Sequence, residues 1–168
     1  MSFMENVRNI CSGFNSVSPL SAVTREDVEN CRKLTEATGI TWTPVQALNP
    51  LMLGSNTMRH VFYHGHLYDK DDQIYAMRFQ DIVNEASKSA RPEGAYPNMD
   101  PYVTSQMDVF GTPYVYIERT EFGGADELAN RLSSLDPDKL KSEIAEGFAR
   151  ADKYVQERDA VAGIHKEL

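Results

Sequence analysis

Apolar positions along this chain recur at helical spacing in four places and alternate with polar ones in two. "TREDVENCRKLTEAT", residues 24–38, carries Val28, Cys31, Leu34 and Thr38 on one helical face. Thr24 followed by Asp27 is a capping-box start, since a threonine oxygen accepts a backbone N–H that the first turn leaves unpaired, and Gly39 closes the segment as a left-handed cap. The same spacing predicts a helix over 72–89, capped by Asp71 or Asp72 and running through Ile74, Met77, Ile82 and Val83. "GADELANRLSSL" follows with Leu128 and Leu132 inward. A long last helix is capped by Asp136, with Pro137 in its first turn and a stripe of Leu140, Ile144, Phe148 and Val155. Alternation predicts strands at 40–48 and at Tyr114–Ile117, and Pro44 marks the first as an edge or an irregularity. Residues 57–69 read as a strand of a hairpin around "DKDD" or as the first of two helices. "ARPEGAYPNMDPY" reads as a loop or hinge, and "VTSQMDV", 103–109, as a short helix.

The totals narrow the function classes. A chain of 168 residues, 41% hydrophobic and 25% charged, is that of a single globular domain. A net charge of −8 argues against nucleic-acid binding, which leaves a basic patch or stripe in the sequence. The apolar runs are too short for membrane insertion. The first residues lack the basic-then-apolar order of a secretory signal, and the terminal "HKEL" reads as a helix end. Cys11 and Cys31 have the spacing of neither a redox motif nor a zinc site, so they read as reduced thiols of an intracellular, reducing compartment.

Three places hold candidate chemistry. Ser18 stands before Pro19 at a predicted helix N-terminus, where free N–H groups favour an anion such as a thiolate; the same residue serves equally as a plain N-cap. Thr112-Pro113 leads into a strand, either presenting backbone to a ligand or making an ordinary turn. His60, His64 and His66 would share one face of a strand, and "H-x-H" followed by Asp69, Asp71 and Asp72 is half of a zinc or iron site. No other segment supplies a distant ligand, so the expectation is no stoichiometric metal, with His64 and His66 as the candidates if one binds.

"VFGTPYVYIERTEFGGADEL" (109–128), taken in order with "FNSVSPLS" (14–21) and "TWTPVQALNP" (41–50), resembles the DsbA-like branch of the thioredoxin fold. The similarity is greatest to 2-hydroxychromene-2-carboxylate isomerases and kappa-class glutathione transferases. It implies an α/β, thioredoxin-like fold with a helical insertion: halves at about 1–50 and 103–135, the insertion at 51–102 and a C-terminal helix at 136–168. It also implies a cis Thr112–Pro113 bond packed near Ser18, with Ser18 acting on a thiol. Asn15, Thr112, Pro113, Ala125 and Asp126 would hold the substrate, and glutathione would be the ligand. The chain departs from the family in several ways. It has no Cys-x-x-Cys, which excludes ordinary disulfide exchange. Its insertion is short, Asn15 replaces the usual Asp, and "NVRNICSG" is polar for a central strand. The function expected is therefore a non-redox scaffold or binding subunit of a larger assembly, with a protein partner or a second copy. The alternatives are a glutathione-dependent isomerase or transferase using Ser18, and a small α+β structural protein or dimeric ferredoxin-like barrel. Whether the protein is an enzyme stays open at this point.

Overall fold

The structure, a computed structural model, describes residues 22–48, 59–96, 100–119 and 124–167. In chain order these form α1 (Arg25–Thr38), β1 (Thr41–Leu48), β2 (Arg59–His66), α2 (Gln73–Ser89), β3 (Thr104–Met107), β4 (Pro113–Glu118), α3 (Gly124–Ser133) and α4 (Pro137–Glu167). The protein is thus mixed α/β. Among the described residues four strands are ordered β1-β2-β4-β3, and each of these pairings is antiparallel. Two hairpins, β1–β2 and β3–β4, are joined through their inner strands, with Thr43 opposite His64, His64 opposite Tyr116 and Tyr114 opposite Gln106.

The predicted caps are in place. Thr24 Oγ1 accepts from Asp27 N–H, Asp27 accepts from Thr24 N–H, and Asp72 Oδ1 accepts from Ile74 N–H at the start of α2. Residues 59–66 settle as a strand. Residues 104–107 are also a strand, not the short helix expected of 103–109. A seven-residue helix cannot repay its own nucleation, whereas the same residues gain a full ladder beside β4. Val28 is 56% exposed, because the inward face of α1 is rotated to present Asp27, Asn30, Cys31 and Leu34.

Alternation divides the sheet into two faces. Trp42, Val61, Tyr63, Val115 and Ile117 point into a core completed by Leu34, Phe79, Val83, Leu128, Leu132, Leu140 and Ile144, so all four helices cover that face. Phe62, His64, His66, Tyr114 and Tyr116 project from the other.

The covered face holds a buried polar network. Tyr63 O–H donates to Asp27 Oδ1 at 2.8 Å, and Arg119 Nη1 donates to Asp27 Oδ2 at 2.6 Å. Asn30 Nδ2 donates to both Tyr63 and Asp126. Burial, with Asp27 beside it, raises the Tyr63 phenol above its ordinary range. The same burial pushes the Cys31 thiol up to about 12, so this thiol is inert.

Both sheet edges are blunted. On β3, the Val103 N–H and C=O bond the Asn84 side chain and Ser105 N–H donates to Gln80, so α2 occupies that edge. On β1, Trp42 N–H donates to Thr35 Oγ1 and Pro44 has no N–H to offer. Strand addition by another chain therefore finds few free groups.

No cis peptide bond occurs among the described residues, so the Thr112–Pro113 bond is trans, correcting the expectation of a cis turn. Pro113 begins β4 directly after a hairpin turn, and both edges of β4 are taken by β2 and β3. The turn that orients it is local, which leaves no need for the costly isomer.

Candidate docking site

The open face and the β3–β4 turn meet at a cleft of about 160 Å³. β2 and its exit supply His64, His66 and Tyr68, and the hairpin supplies Asp108, Thr112, Pro113 and Tyr114. His64 and His66 sit two apart on one strand, so they share the face, and Tyr68, inside the Leu67–Lys70 turn, extends the row. The rings form a ladder. Tyr114 stacks on His64 at 4.4 Å between centroids, His64 lies 4.4 Å from His66, and His66 stacks on Tyr68 at 4.8 Å.

The His64 pKa is lowered to about 4 by burial first, then by His66, with Asp108 opposing. Burial also lowers His66, whose Nε2 lies 2.9 Å from Thr43 Oγ1. His64 Nδ1 is buried without a hydrogen-bond partner. Both imidazoles are neutral at neutral pH. A base with a pKa near 4 is too weak to take a proton from a substrate there.

The rim is more pronounced than the cleft. Asp108 Oδ1 accepts from Phe110 N–H and Thr112 N–H, Asp108 N–H donates to Thr112 O, and Gly111 N–H donates to Asp108 O. Gly111 sits at φ +82°, a left-handed conformation that glycine adopts without strain. This tied turn holds Val109 at 93% and Phe110 at 89% exposure, next to Met107 and with Tyr68, 75% exposed, across the cleft.

No family model matches this chain, and comparison with curated proteins and with solved structures returns no match either.

Of the residues singled out from sequence, Thr112, Pro113, His64 and His66 come together in this cleft. Ala125 and Asp126 do not: Ala125 is buried in the core, and Asp126 accepts from Asn30 on the helix-covered side of the sheet. Ser18 and Asn15 lie outside the described residues, as does Cys11. Among the described residues no three His, Cys, Asp or Glu side chains are grouped to hold a metal ion, and no helix is long and apolar enough to cross a membrane. A larger hollow of about 330 Å³, lined by Lys33, Glu36, Leu132, Ser133 and Lys141, carries no comparable cluster, and its Ser133 hydroxyl is spent on the Ala129 carbonyl.

A pH dependence follows. The unfolded chain takes a proton on His64 near 6.5, while the folded chain resists it until about 4. The unfolded state binds more protons in that window, so stability is full above 6.5 and falls as pH drops toward 4. With partial solvent access discounted, the loss is about 2 kcal/mol. Urea unfolding at several pH values, compared with His64→Phe, which keeps the stack on Tyr114, should show a steeper acid loss in the wild type. Equal pH profiles would contradict the assignment.

Proposed function

We propose that the protein is a non-catalytic protein-binding module that docks through the tip of the β3–β4 hairpin and the aromatic–histidine cleft beside it. The observation that carries this is the exposure of Val109 and Phe110 at 93% and 89% on a turn fixed by four hydrogen bonds. Two large apolar side chains at a turn tip contribute nothing to the protein's own core. Held rigidly, they lose little conformational freedom on binding, which is how an interface anchor gains affinity. Asp108 is the only charged residue among the cleft and tip residues of a chain that is 25% charged, the composition expected of an interface centre.

This reading matches the scaffold or binding subunit expected from sequence. The glutathione-linked alternative, with Ser18 as catalytic group, rests on the order of "SVSP" and "VFGTP". A trans Thr112–Pro113 bond inside a hairpin leaves that order without the turn it requires. The finer thioredoxin-like assignment loses the same support.

Val109→Ser combined with Phe110→Ser tests the proposal. Both positions are exposed, so stability should change by no more than about 0.5 kcal/mol. In extract from its source, the wild type should elute from a sizing column in a species larger than the single chain, and the double variant should shift to the single chain. Identical elution of the two proteins would refute the docking role.

A further inference from the structure

We propose that the docking partner is a second copy of this chain, joined about a two-fold axis so that Phe110 of each copy enters the His64–His66–Tyr114 cleft of the other. The inference rests on the docking reading and adds the identity of the partner. Four observations carry it.

The first is size. The cleft measures about 160 Å³, and a cavity of roughly 150 Å³ with apolar walls accepts a benzene ring. A phenylalanine ring is that ligand on a stem, and the stacked rings of the cleft offer it faces and edges to pack on.

The second is placement. Knob and hole adjoin: Asp108 and Thr112 of the β3–β4 hairpin line one side of the hole, and Phe110 lies between them in sequence. The hydrogen bonds of Asp108 hold the turn so that Phe110 stays 89% exposed and does not fill its own hole. A feature and its complement side by side on one surface are satisfied twice by a two-fold, and the resulting contact closes without leaving a further knob free.

The third is charge. Two copies of a chain with a net charge of −8 repel, so a self-contact belongs where the surface carries least charge. Asp108 is the only Asp, Glu, Lys or Arg among the residues of the tip and cleft.

The fourth is area. Covering Val109, Phe110, Tyr68 and most of Met107 on each copy removes about 1,000 Å² in total, at the lower bound for a specific interface. Area does not by itself set the affinity of such a contact, so the dimer is sought over a range of concentrations. The blunted edges of β1 and β3 direct association to the tip and away from strand addition.

Sedimentation velocity on the purified full chain, from about 1 µM to about 200 µM, tests this. The wild type should pass from monomer to dimer across that range. Phe110→Ala, which removes the knob, should weaken the dimer by about 30-fold or more, since the loss occurs twice. Thr112→Trp, which fills the hole from an exposed position, should do the same with an unchanged thermal melt. Mixing these two variants should restore a heterodimer, because one supplies an intact hole and the other an intact knob. A wild type that stays monomeric at the highest concentration overturns the proposal, as does a dimer that Phe110→Ala leaves intact. A monomeric wild type whose double serine variant still loses its complex in extract would mean that the tip docks on a different protein. A monomeric wild type with no such loss would remove the docking reading as well.

Discussion

Asp27→Ala is expected to lower the unfolding free energy by about 3–5 kcal/mol. Its carboxylate is 1% exposed and accepts from Tyr63 O–H, from Arg119 Nη1 and from Thr24 N–H. Removing it strips the carboxylate from a guanidinium whose side chain is only 11% exposed and leaves the buried Tyr63 hydroxyl without its acceptor. Half of the capping box goes with it, a further contribution of about 1 kcal/mol that is included in the range. Asp27→Asn keeps an acceptor for Tyr63 but not the charge, so its loss should be intermediate. Tyr63→Phe removes one bond and should cost less than either. Urea denaturation of the three variants checks the order. A loss below about 1 kcal/mol for Asp27→Ala would place this group at the surface and contradict its buried bonds to Tyr63 and Arg119.

Gly65→Ala is expected to destabilise by about 2–3 kcal/mol, against the usual sign for a glycine in a strand. A Cβ built there would lie 2.6 Å from Val115 Cγ2, 2.9 Å from Ile40 Cδ1 and 3.2 Å from the Trp42 ring. Ile40 can swing away. Val115 is fully buried and β-branched, and Trp42 is held by the bond from its Nε1 to Thr38 Oγ1, so neither yields cheaply. The strain falls on the pairing of β2 with β1 and β4, the strands that frame the cleft. A thermal melt decides the sign. If Gly65→Ala raises the melting temperature, then β2 does not pass Val115 as closely as described.

The sequence carried its local instructions clearly. Thr24 with Asp27, Asp72 and Gly39 each act within one turn of chain, and the helices they bound are where the apolar spacing predicts them. Long-range choices were not legible. Strand and helix were balanced over 57–69 because the aromatic and histidine residues there fit either period, and pairing with β1 and β4 decides it. The helix expected at 103–109 failed for a different reason: residues 104–107 pair with β4 across the turn that immediately follows them, a hairpin that the spacing did not reveal. The docking tip did leave a signal, since "DVFG" has Asp and Gly at the ends of a four-residue turn with two apolar residues between them, where a core cannot reach. The polar network left none. Asp27 reads as a cap and Tyr63 falls in a segment that fits strand or helix, and only the fold brings them together with Arg119 and Asn30.

A photo-crosslinking benzoylphenylalanine in place of Phe110 reports directly on whether that side chain is a docking anchor. Position 110 should yield one dominant protein adduct on irradiation in source extract, and the adduct should disappear when unlabelled wild-type chain is added in excess. An adduct of twice the chain's own mass identifies the second copy as the partner. The same probe at Tyr96, also an exposed aromatic at 75% but not among the residues that line the cleft, should yield none. No adduct from position 110, or equal adducts from both positions, would contradict the account.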